Sequence, residues 1–328
     1  MKSIIYIYSC SIAMALLIAC GVKANKNVGE KKQSTTLSHA MNQGTENKTT
    51  HIPDPIKILP TEKAEVEKLL TSLIKQRKQL TTEDLVLRLA RHFIGVPYIA
   101  HTLDRNKDEQ MVVNLREMDC TTYLENVVAL SLCVDKGKTT ADDFISQLQQ
   151  IRYKGGKLSY ENRLHYYQWW VTDNEKMGFV KEISTPNPPF TATQRLKINY
   201  MSENFQAYDM LRNAPERVKA IKAHEDKTNG TVVRYIPKGQ LKNTELLRKV
   251  VKDGDIIALV TNKKNLDTTH LGIAVWHKDG LHLLNASSLK KNGKQVVEPT
   301  ETLYQYLMAR PYNPGIRVAR LKLSNIGN

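Results

Sequence analysis

Residues 119–134 read DCTTYLENVVALSLCV, and this stretch decides the fold. From Leu124 to Val134 most side chains are apolar, so a helix formed here is hydrophobic over much of its circumference. A helix of that kind is stable when other elements bury it on every side. The stretch therefore predicts a central, buried helix that begins at Cys120.

Helical periodicity extends to both sides of this central stretch. The segments Thr61–Ile74 and Thr82–Phe93 repeat apolar residues at spacings of three and four, which is typical of amphipathic helices. A further helix is predicted to begin after a cap at Thr140 or Asp142. The N-terminal half of the folded region is therefore predicted to be helical.

The C-terminal half has strand patterns. Strand-like apolar runs are found at Ile256–Val260, His270–Trp276, Leu281–Ala286, Val296–Val297 and Arg317–Leu323. The second and third runs are joined through Asp279 and Gly280, and Asp-Gly between such runs is a strong hairpin signal. Helices followed by an antiparallel sheet predict an α+β fold, with residues 191–250 mixing helix and irregular structure.

The first twenty residues have the features of an export signal. Lys2 precedes an apolar segment of secretory-signal length, Ile4–Ile18. The end of the segment, Leu-Ile-Ala-Cys20, resembles the lipobox of bacterial lipoproteins, which implies cleavage before Cys20 and lipidation of its thiol. The alternative is an uncleaved anchor helix. Both interpretations predict an exported protein of the bacterial envelope that is anchored to a membrane, facing the periplasm or on the outer membrane.

Composition and charge define the remaining organisation. Residues 21–60 are polar and are predicted to be a flexible tether, and residues 61–328 are predicted to be the folded part of the chain. The chain has 48 Lys and Arg against 33 Asp and Glu, a net charge of +15, which favours anionic surfaces as neighbours. Nucleic acid is not expected, because no nucleic-acid-binding module is recognisable.

Two cysteines remain beyond the predicted signal, Cys120 and Cys133. On one helix they are about 20 Å apart, whereas a disulfide requires Cα atoms within about 7 Å. Both are therefore expected to be thiols. A helix N-terminus stabilises a thiolate, which favours Cys120 as a nucleophile, whereas mid-helix Cys133 is expected to be packing.

A nucleophilic cysteine needs a base, and the predicted hairpin supplies candidates. His270 begins its first strand, and His282 and Asn285 lie on its second. Either could orient the His270 ring, as the third member of a cysteine-protease triad does. If that strand is regular, the two candidates point to opposite faces, so only one of them can reach His270.

Several blocks in one order resemble a known family. The blocks Gly95–Tyr98, Asp119–Thr121 and His270–Val275 resemble motifs of NlpC/P60 cysteine peptidases. The span from about residue 80 to 322 resembles the DUF1460 family of that superfamily, described as N-acetylmuramoyl-L-alanine amidase-like. The resemblance implies that residues 61–328 are an NlpC/P60-like catalytic domain, with a papain-like core, Cys120 as nucleophile and His270 as base. Asn285 stands where these enzymes usually carry a histidine.

The resemblance also implies a substrate and a reaction. It predicts hydrolysis of the N-acetylmuramoyl-L-alanine bond of peptidoglycan or muropeptides through an acyl-enzyme on Cys120. The alternatives are a γ-D-glutamyl-L-diamino acid endopeptidase and a non-catalytic lipoprotein that binds wall fragments. No metal or other cofactor is implied, since the sequence contains no recognised ligand motif. The candidate substrate contacts are Tyr98, Arg163, His165, Ser287 and Ser288.

Overall fold

The computed structural model describes residues 56–324. The predicted signal peptide, the lipidation site at Cys20 and residues 21–55 of the predicted tether lie outside this range. Within residues 56–324, no helix combines the length and the apolar character that crossing a membrane requires. All the described residues belong to one compact unit.

The helices of the described range lie mainly in its first half. They are α1 (Pro60–Gln76), α2 (Thr82–His92), α3 (Cys120–Asp135), α4 (Ala141–Arg152), α5 (Tyr167–Lys176), α6 (Tyr200–Glu203), α7 (Asp209–Arg212), α8 (Pro215–Thr228), α9 (Glu245–Val250) and α10 (Leu303–Met308). Capping explains where several begin. The Thr81 and Thr140 hydroxyls accept hydrogen bonds from backbone N–H groups three residues later, at 3.0 and 3.1 Å, which satisfies donors that the first turn leaves unpaired.

The strands lie mainly in the second half. They are β1 (Ile56–Lys57), β2 (Met111–Val112), β3 (Val180–Ile183), β4 (Ala192–Arg195), β5 (Val232–Pro237), β6 (Ile256–Val260), β7 (Thr268–Trp276), β8 (Leu281–Ala286), β9 (Val296–Val297) and β10 (Gly315–Leu321). Eight of them form one antiparallel sheet in the order β4-β5-β10-β6-β7-β8-β9, with β3 also paired to β10. The short strands β1 and β2 form a separate parallel pair.

The central strands are buried on both faces. Ile256 and Ala258 of β6 belong to the core shared with α1–α5, whereas Ile257 and Leu259 belong to a second core that includes residues of α9 and α10. A strand covered on both faces needs an unbroken apolar run rather than an alternating one, and β6 has the sequence IIALV. The sheet is therefore the middle layer between two sets of helices.

Helix α3 is the centre of the larger core. All its residues from Thr122 to Val134 are buried, and so is Cys120 at its start. The helix packs against α1, α2 and α4 and against strands β7 and β8. This packing confirms the central helix that the sequence predicts and joins it to the hairpin.

The structure confirms the α+β prediction, and it shows strands that the sequence reading missed. The predicted helices and the strands from Ile256 onward agree with the observed elements within a few residues. Strands β3, β4 and β5 were not predicted. They are short or polar, and burial within β4 is only partial, so little hydrophobic alternation marks them.

Gly315 provides a test of this architecture, because β10 and β5 approach each other closely there. A Cβ atom at this position would lie 2.1 Å from the carbonyl oxygen of Ile236. Overpacking against a backbone atom cannot be relieved by a rotamer change, so Gly315→Ala is expected to lower the free energy of unfolding by at least about 2 kcal/mol.

Gly239→Ala is the matched control, since a Cβ at Gly239 meets no atom within 4 Å. Denaturant unfolding followed by circular dichroism measures both variants. Equal midpoints for the two variants would show that the β5–β10 pairing does not form as described.

Candidate active site

The first turn of α3 holds Cys120 by a tight cap. The Asp119 carboxylate accepts hydrogen bonds from the backbone N–H groups of Thr121, at 3.0 Å, and Thr122, at 2.8 Å. The Thr122 hydroxyl in turn accepts from the Asp119 N–H at 2.9 Å. This capping box fixes the helix start, so Cys120 is the first helical residue and its side chain is at the positive end of the helix dipole.

Cys120 is disulfide-bonded in this structure. Among residues 56–324, Cys133 is the free cysteine. The expectation of two thiols is therefore right for Cys133 and wrong for Cys120, because the helix geometry excluded only a bond between these two. A disulfide sulfur is no nucleophile, so any thiolate chemistry at Cys120 begins from the reduced protein.

His270 and Asn285 form the second part of the site. His270 Nε2 lies 2.8 Å from Asn285 Oδ1. The Asn285 amide nitrogen donates to the Leu283 carbonyl at 2.6 Å, which fixes the amide orientation and makes Oδ1 the acceptor. His270 therefore carries its proton on Nε2, and its Nδ1 is the nitrogen that can accept a proton.

Burial sets the charge of the His270 ring. It lowers the pKa of His270 to about 4, with the Asn285 hydrogen bond acting in the opposite direction and the Arg310 charge in the same one. At neutral pH the ring is uncharged unless an anion is placed beside it. A neutral imidazole with an acceptor nitrogen is the form of histidine that can serve as a general base.

His282, the other candidate for orienting the ring, contacts different groups. Its Nδ1 lies 2.9 Å from the Pro299 carbonyl oxygen and its Nε2 lies 3.0 Å from Asp279 Oδ1. Its ring also packs against the His277 ring, with centroids 4.3 Å apart. Of the two candidates, Asn285 is therefore the one whose side chain contacts His270.

Two cavities meet at His270. The inner cavity, about 30 Å³, is lined by His270 together with Thr121, His165, Trp170 and Thr268 among others. The outer cleft, about 400 Å³, is lined by His270 together with Ser287, Ser288, Tyr306, Arg310 and Tyr312 among others. Thr121 follows Cys120 in α3, so the inner cavity connects the helix start with His270.

The predicted substrate residues Ser287 and Ser288 line the outer cleft beside His270. The buried Ser287 hydroxyl accepts from the Asn292 side-chain amide at 2.9 Å, so it also fixes the loop that follows β8. Tyr98 is half-buried, and its backbone pairs with Met118, two residues before Cys120.

Arg163 and His165 line the cavity beside Thr121, but they differ in what they can bind. The Arg163 guanidinium donates to Asp104 at 2.6 Å and to both oxygens of Glu109, so its charge is already compensated. These contacts agree with a structural ion pair. His165 Nε2 lies 2.8 Å from the Tyr160 carbonyl, to which it donates. Burial, with the Arg163 charge, lowers the pKa of His165 to about 3, which leaves Nδ1 as a neutral acceptor.

Arg310 is a residue that the sequence reading missed. It lines the outer cleft, its guanidinium stacks 3.4 Å from the centroid of the Tyr306 ring, and its charge lowers the pKa of His270. Arg310 lies 40 positions from His270 in no recognisable motif, so no sequence signal marks it. Residues 56–324 contain no group of three or more His, Cys, Asp or Glu side chains placed to share a metal ion.

Comparison with known proteins places the chain among amidase-like proteins. A family model described as AmiA-like, N-acetylmuramoyl-L-alanine amidase-like, matches residues 88–316. A crystal structure named as an N-acetylmuramoyl-L-alanine amidase from Bacteroides uniformis is 38% identical, with a TM-score of 0.68, and the match covers 74% of this chain and 99% of that one. The search of curated proteins gives no match.

Two further solved structures are similar. A Bacteroides fragilis protein, provisionally named a xylanase, is 38% identical with a TM-score of 0.65, over 71% of this chain and 99% of its own. A Legionella pneumophila protein with the DUF1460 family model is 22% identical with a TM-score of 0.60, over 80% of this chain and 95% of its own, and this likeness concerns the fold alone.

The protonation of His270 gives a test of the site geometry. In Cys120→Ala, which removes any thiolate, we expect the His270 ring to stay neutral down to about pH 4, because burial disfavours the cation. Asn285→Asp in the same background keeps an acceptor but adds a negative charge. It is expected to raise the pKa of His270 by about 1 to 3 units. Ring ¹⁵N NMR against pH measures both values.

His282 gives the control for this titration. Asp279→Asn removes the carboxylate beside His282, away from the His270–Asn285 pair. It is expected to leave the pKa of His270 unchanged. A His270 pKa near the ordinary 6.5 that Asn285→Asp does not move would contradict the observed pairing.

Proposed function

Because the chain belongs to the N-acetylmuramoyl-L-alanine amidase-like family, we propose that it is a cysteine amidase of the cell envelope. Its substrate is peptidoglycan or a muropeptide, and the bond cut joins the lactyl group of N-acetylmuramic acid to L-Ala. The observation that carries the proposal is the 2.8 Å hydrogen bond between His270 and Asn285 on strands packed against the helix that Cys120 begins. This placement supports Cys120, His270 and Asn285 as nucleophile, base and orienting residue.

The proposed core is of the papain-like NlpC/P60 type. Two features support it: a cysteine at the N-terminus of a buried helix, and a histidine from an antiparallel sheet packed on that helix. Asn285 in the orienting position is the departure from the usual histidine. An amide oxygen accepts the ring N–H as well as an imidazole nitrogen does, so the substitution keeps the hydrogen bond on which the proton position depends.

The reaction begins from the reduced Cys120 thiol. His270 Nδ1 accepts the thiol proton, and the resulting thiolate attacks the carbonyl carbon of the substrate amide. The imidazolium that forms is stabilised by the thiolate charge and by the Nε2–H bond to Asn285. A base that is neutral at rest is suited to this step, since it must take up a proton as the sulfur attacks.

The second half of the reaction returns the proton. The negative oxygen of the tetrahedral intermediate is stabilised by the Cys120 backbone N–H in the first turn of α3. When the carbon–nitrogen bond breaks, His270 protonates the leaving amino group of L-Ala. A water molecule, deprotonated by His270, then hydrolyses the thioester and regenerates the thiol.

Substrate contacts are proposed on both sides of His270. In the outer cleft, Ser287 and Ser288 supply hydroxyl groups beside the base. In the inner cavity, the neutral His165 ring supplies an acceptor for a substrate N–H or O–H. Tyr98 precedes the nucleophile-bearing helix and is a further candidate. For Arg163 we propose a structural role in the wall of the site, because its guanidinium is already paired with Glu109 and Asp104.

Two other activities are separable from this one. A γ-D-glutamyl-L-diamino acid endopeptidase would use the same residues on a different bond, so only the products distinguish it. Glycosidases commonly use two carboxylates about 5 to 9.5 Å apart. Asp267, in the inner cavity, is the one acidic residue among those that line the two cavities at His270. Its carboxylate accepts the backbone N–H groups of Gln168 and Thr268, both at 2.7 Å, so the site does not favour glycoside cleavage.

The cellular location is also part of the proposal. The lipobox-like end of residues 1–20 supports export and attachment to a membrane through lipidated Cys20. A net charge of +15 is favourable beside an anionic wall. The anchor would keep the catalytic domain near the peptidoglycan.

The products of a defined substrate test the function. Reduced enzyme incubated with a disaccharide-tetrapeptide is expected to release the intact tetrapeptide and leave N-acetylmuramic acid with a free lactyl carboxyl, as read by mass spectrometry. Cys120→Ala is expected to lower the rate by at least about 10³-fold, because it removes the nucleophile.

Cys133→Ala is the control, since this cysteine is buried in mid-helix packing and is expected to keep activity in soluble protein. Release of a fragment that leaves L-Ala-D-Glu on the sugar would replace the amidase with the endopeptidase. Binding of the muropeptide without turnover, in wild type and Cys120→Ala alike, would favour the non-catalytic alternative.

A further inference from the structure

A second cleft, of about 420 Å³, lies behind the wall of the inner cavity. It is bounded by α5, α8 and the loops around residues 154 and 162–164. We call it the basic cleft and define it by Lys154, Trp169, Lys176, His224, Lys227 and Thr228. None of these residues takes part in the reaction proposed above, so the cleft is a separate feature of the surface.

The charges of the basic cleft are not balanced by its own acidic residues. Lys154, Lys176 and Lys227 form no ion pair with any residue of the described chain, 56–324. Asp173 is the one acidic residue among those that line the cleft, and its carboxylate accepts the Gly155 N–H at 2.8 Å. Three ammonium groups against one carboxylate leave a surplus of positive charge in a concave site, which attracts anions.

The environment of His224 shows that two of these ammonium groups lie near its ring. Lys154 Nζ lies 3.2 Å from His224 Nε2, so the lysine donates to a neutral imidazole. Burial lowers the pKa of His224, the charges of Lys154 and Lys227 lower it further, and Glu161 acts in the opposite direction. Two cations therefore act on one ring, and a bound anion would offset them.

Trp169 gives the cleft a fixed aromatic wall. Its indole N–H donates to the Thr228 hydroxyl at 2.8 Å, and its ring meets the His224 ring edge-on with centroids 5.5 Å apart. The indole is held on two sides and half-buried, so it presents a rigid apolar surface beside the lysines. Aromatic surface with adjacent ammonium groups suits a chain that carries both apolar groups and carboxylates.

The basic cleft adjoins the proposed active site. Leu164 lines both the basic cleft and the inner cavity that contains Thr121 and His270. A single segment of chain therefore separates the two spaces. A stem peptide of three to five residues spans roughly 10 to 18 Å when extended, so its terminal carboxylate lies well away from the scissile amide.

We propose that the basic cleft binds the carboxylates of the stem peptide, on the leaving-group side of the scissile bond. This inference rests on the proposed function, because it assumes that a wall peptide is the substrate bound at His270. Of the two groups that this bond joins, the peptide is the anionic one. It carries free carboxylates, whereas the lactyl carboxyl of the sugar is part of the amide. The lysines bind the carboxylates, and Trp169 packs against the peptide chain.

Kinetics with two matched substrates test this site. The substrates are a disaccharide-tetrapeptide with free carboxylates and the same compound with those carboxylates amidated. The double variant Lys154→Gln/Lys227→Gln is expected to raise KM for the free-carboxylate substrate about fivefold or more and to leave kcat within about twofold. KM for the amidated substrate is expected to stay at the wild-type value. Lys219→Gln, an exposed lysine of α8 outside the cleft, is the control and is expected to change neither.

The outcomes separate the two proposals. An unchanged KM in the double variant, or an equal rise for both substrates, overturns carboxylate binding in the cleft while leaving the amidase intact. Absence of turnover in the wild type overturns the amidase, and the cleft is then decided by binding. In that case ¹⁵N NMR of His224 is followed while the free tetrapeptide is added. A rise in the pKa of His224 that Lys154→Gln/Lys227→Gln abolishes supports the cleft, and no change overturns it.

Discussion

The packing of α3 against β7 and β8 is the constraint on which the rest of the structure depends. The helix is buried from Thr122 to Val134, and β8 is buried at every position, so neither can shift without opening the core. Cys120 begins the helix, and His270 and Asn285 lie on the two strands. Close packing in the core therefore holds the start of the helix and these two strands in fixed relative positions.

Burial also sets the chemistry of that edge. His270 and His165 are both kept neutral by their surroundings, and each donates its Nε2 proton to an oxygen acceptor. Their Nδ1 atoms are then left as acceptors. The same removal of water that lowers these pKa values strengthens the attraction between a thiolate and an imidazolium. In the proposed mechanism, such a site keeps the base neutral at rest and stabilises the charged pair when the sulfur ionises.

The sequence predicts most of this arrangement, because its signals are local. The apolar run after Cys120 and the Asp-Gly turn before β8 specify the helix and the hairpin. His270 pairs with Asn285 rather than His282 because the two side chains occupy opposite faces of β8. The alternation of side chains along a strand predicts that only one of them reaches His270, but it does not show which one. What the sequence could not show depends on distant residues. Arg163 is compensated by Glu109, 54 positions away.

The most direct test is the pH dependence of alkylation at Cys120 in the reduced protein, with the modified site located by peptide mass spectrometry. The account predicts that half-maximal reactivity comes at a lower pH in the wild type than in His270→Ala, whose profile shifts towards the ordinary cysteine pKa of about 8.5. Cys133, whose pKa burial raises to about 12, serves as the unreactive internal reference. The same reactivity profile for Cys120 with and without the His270 imidazole would contradict the account.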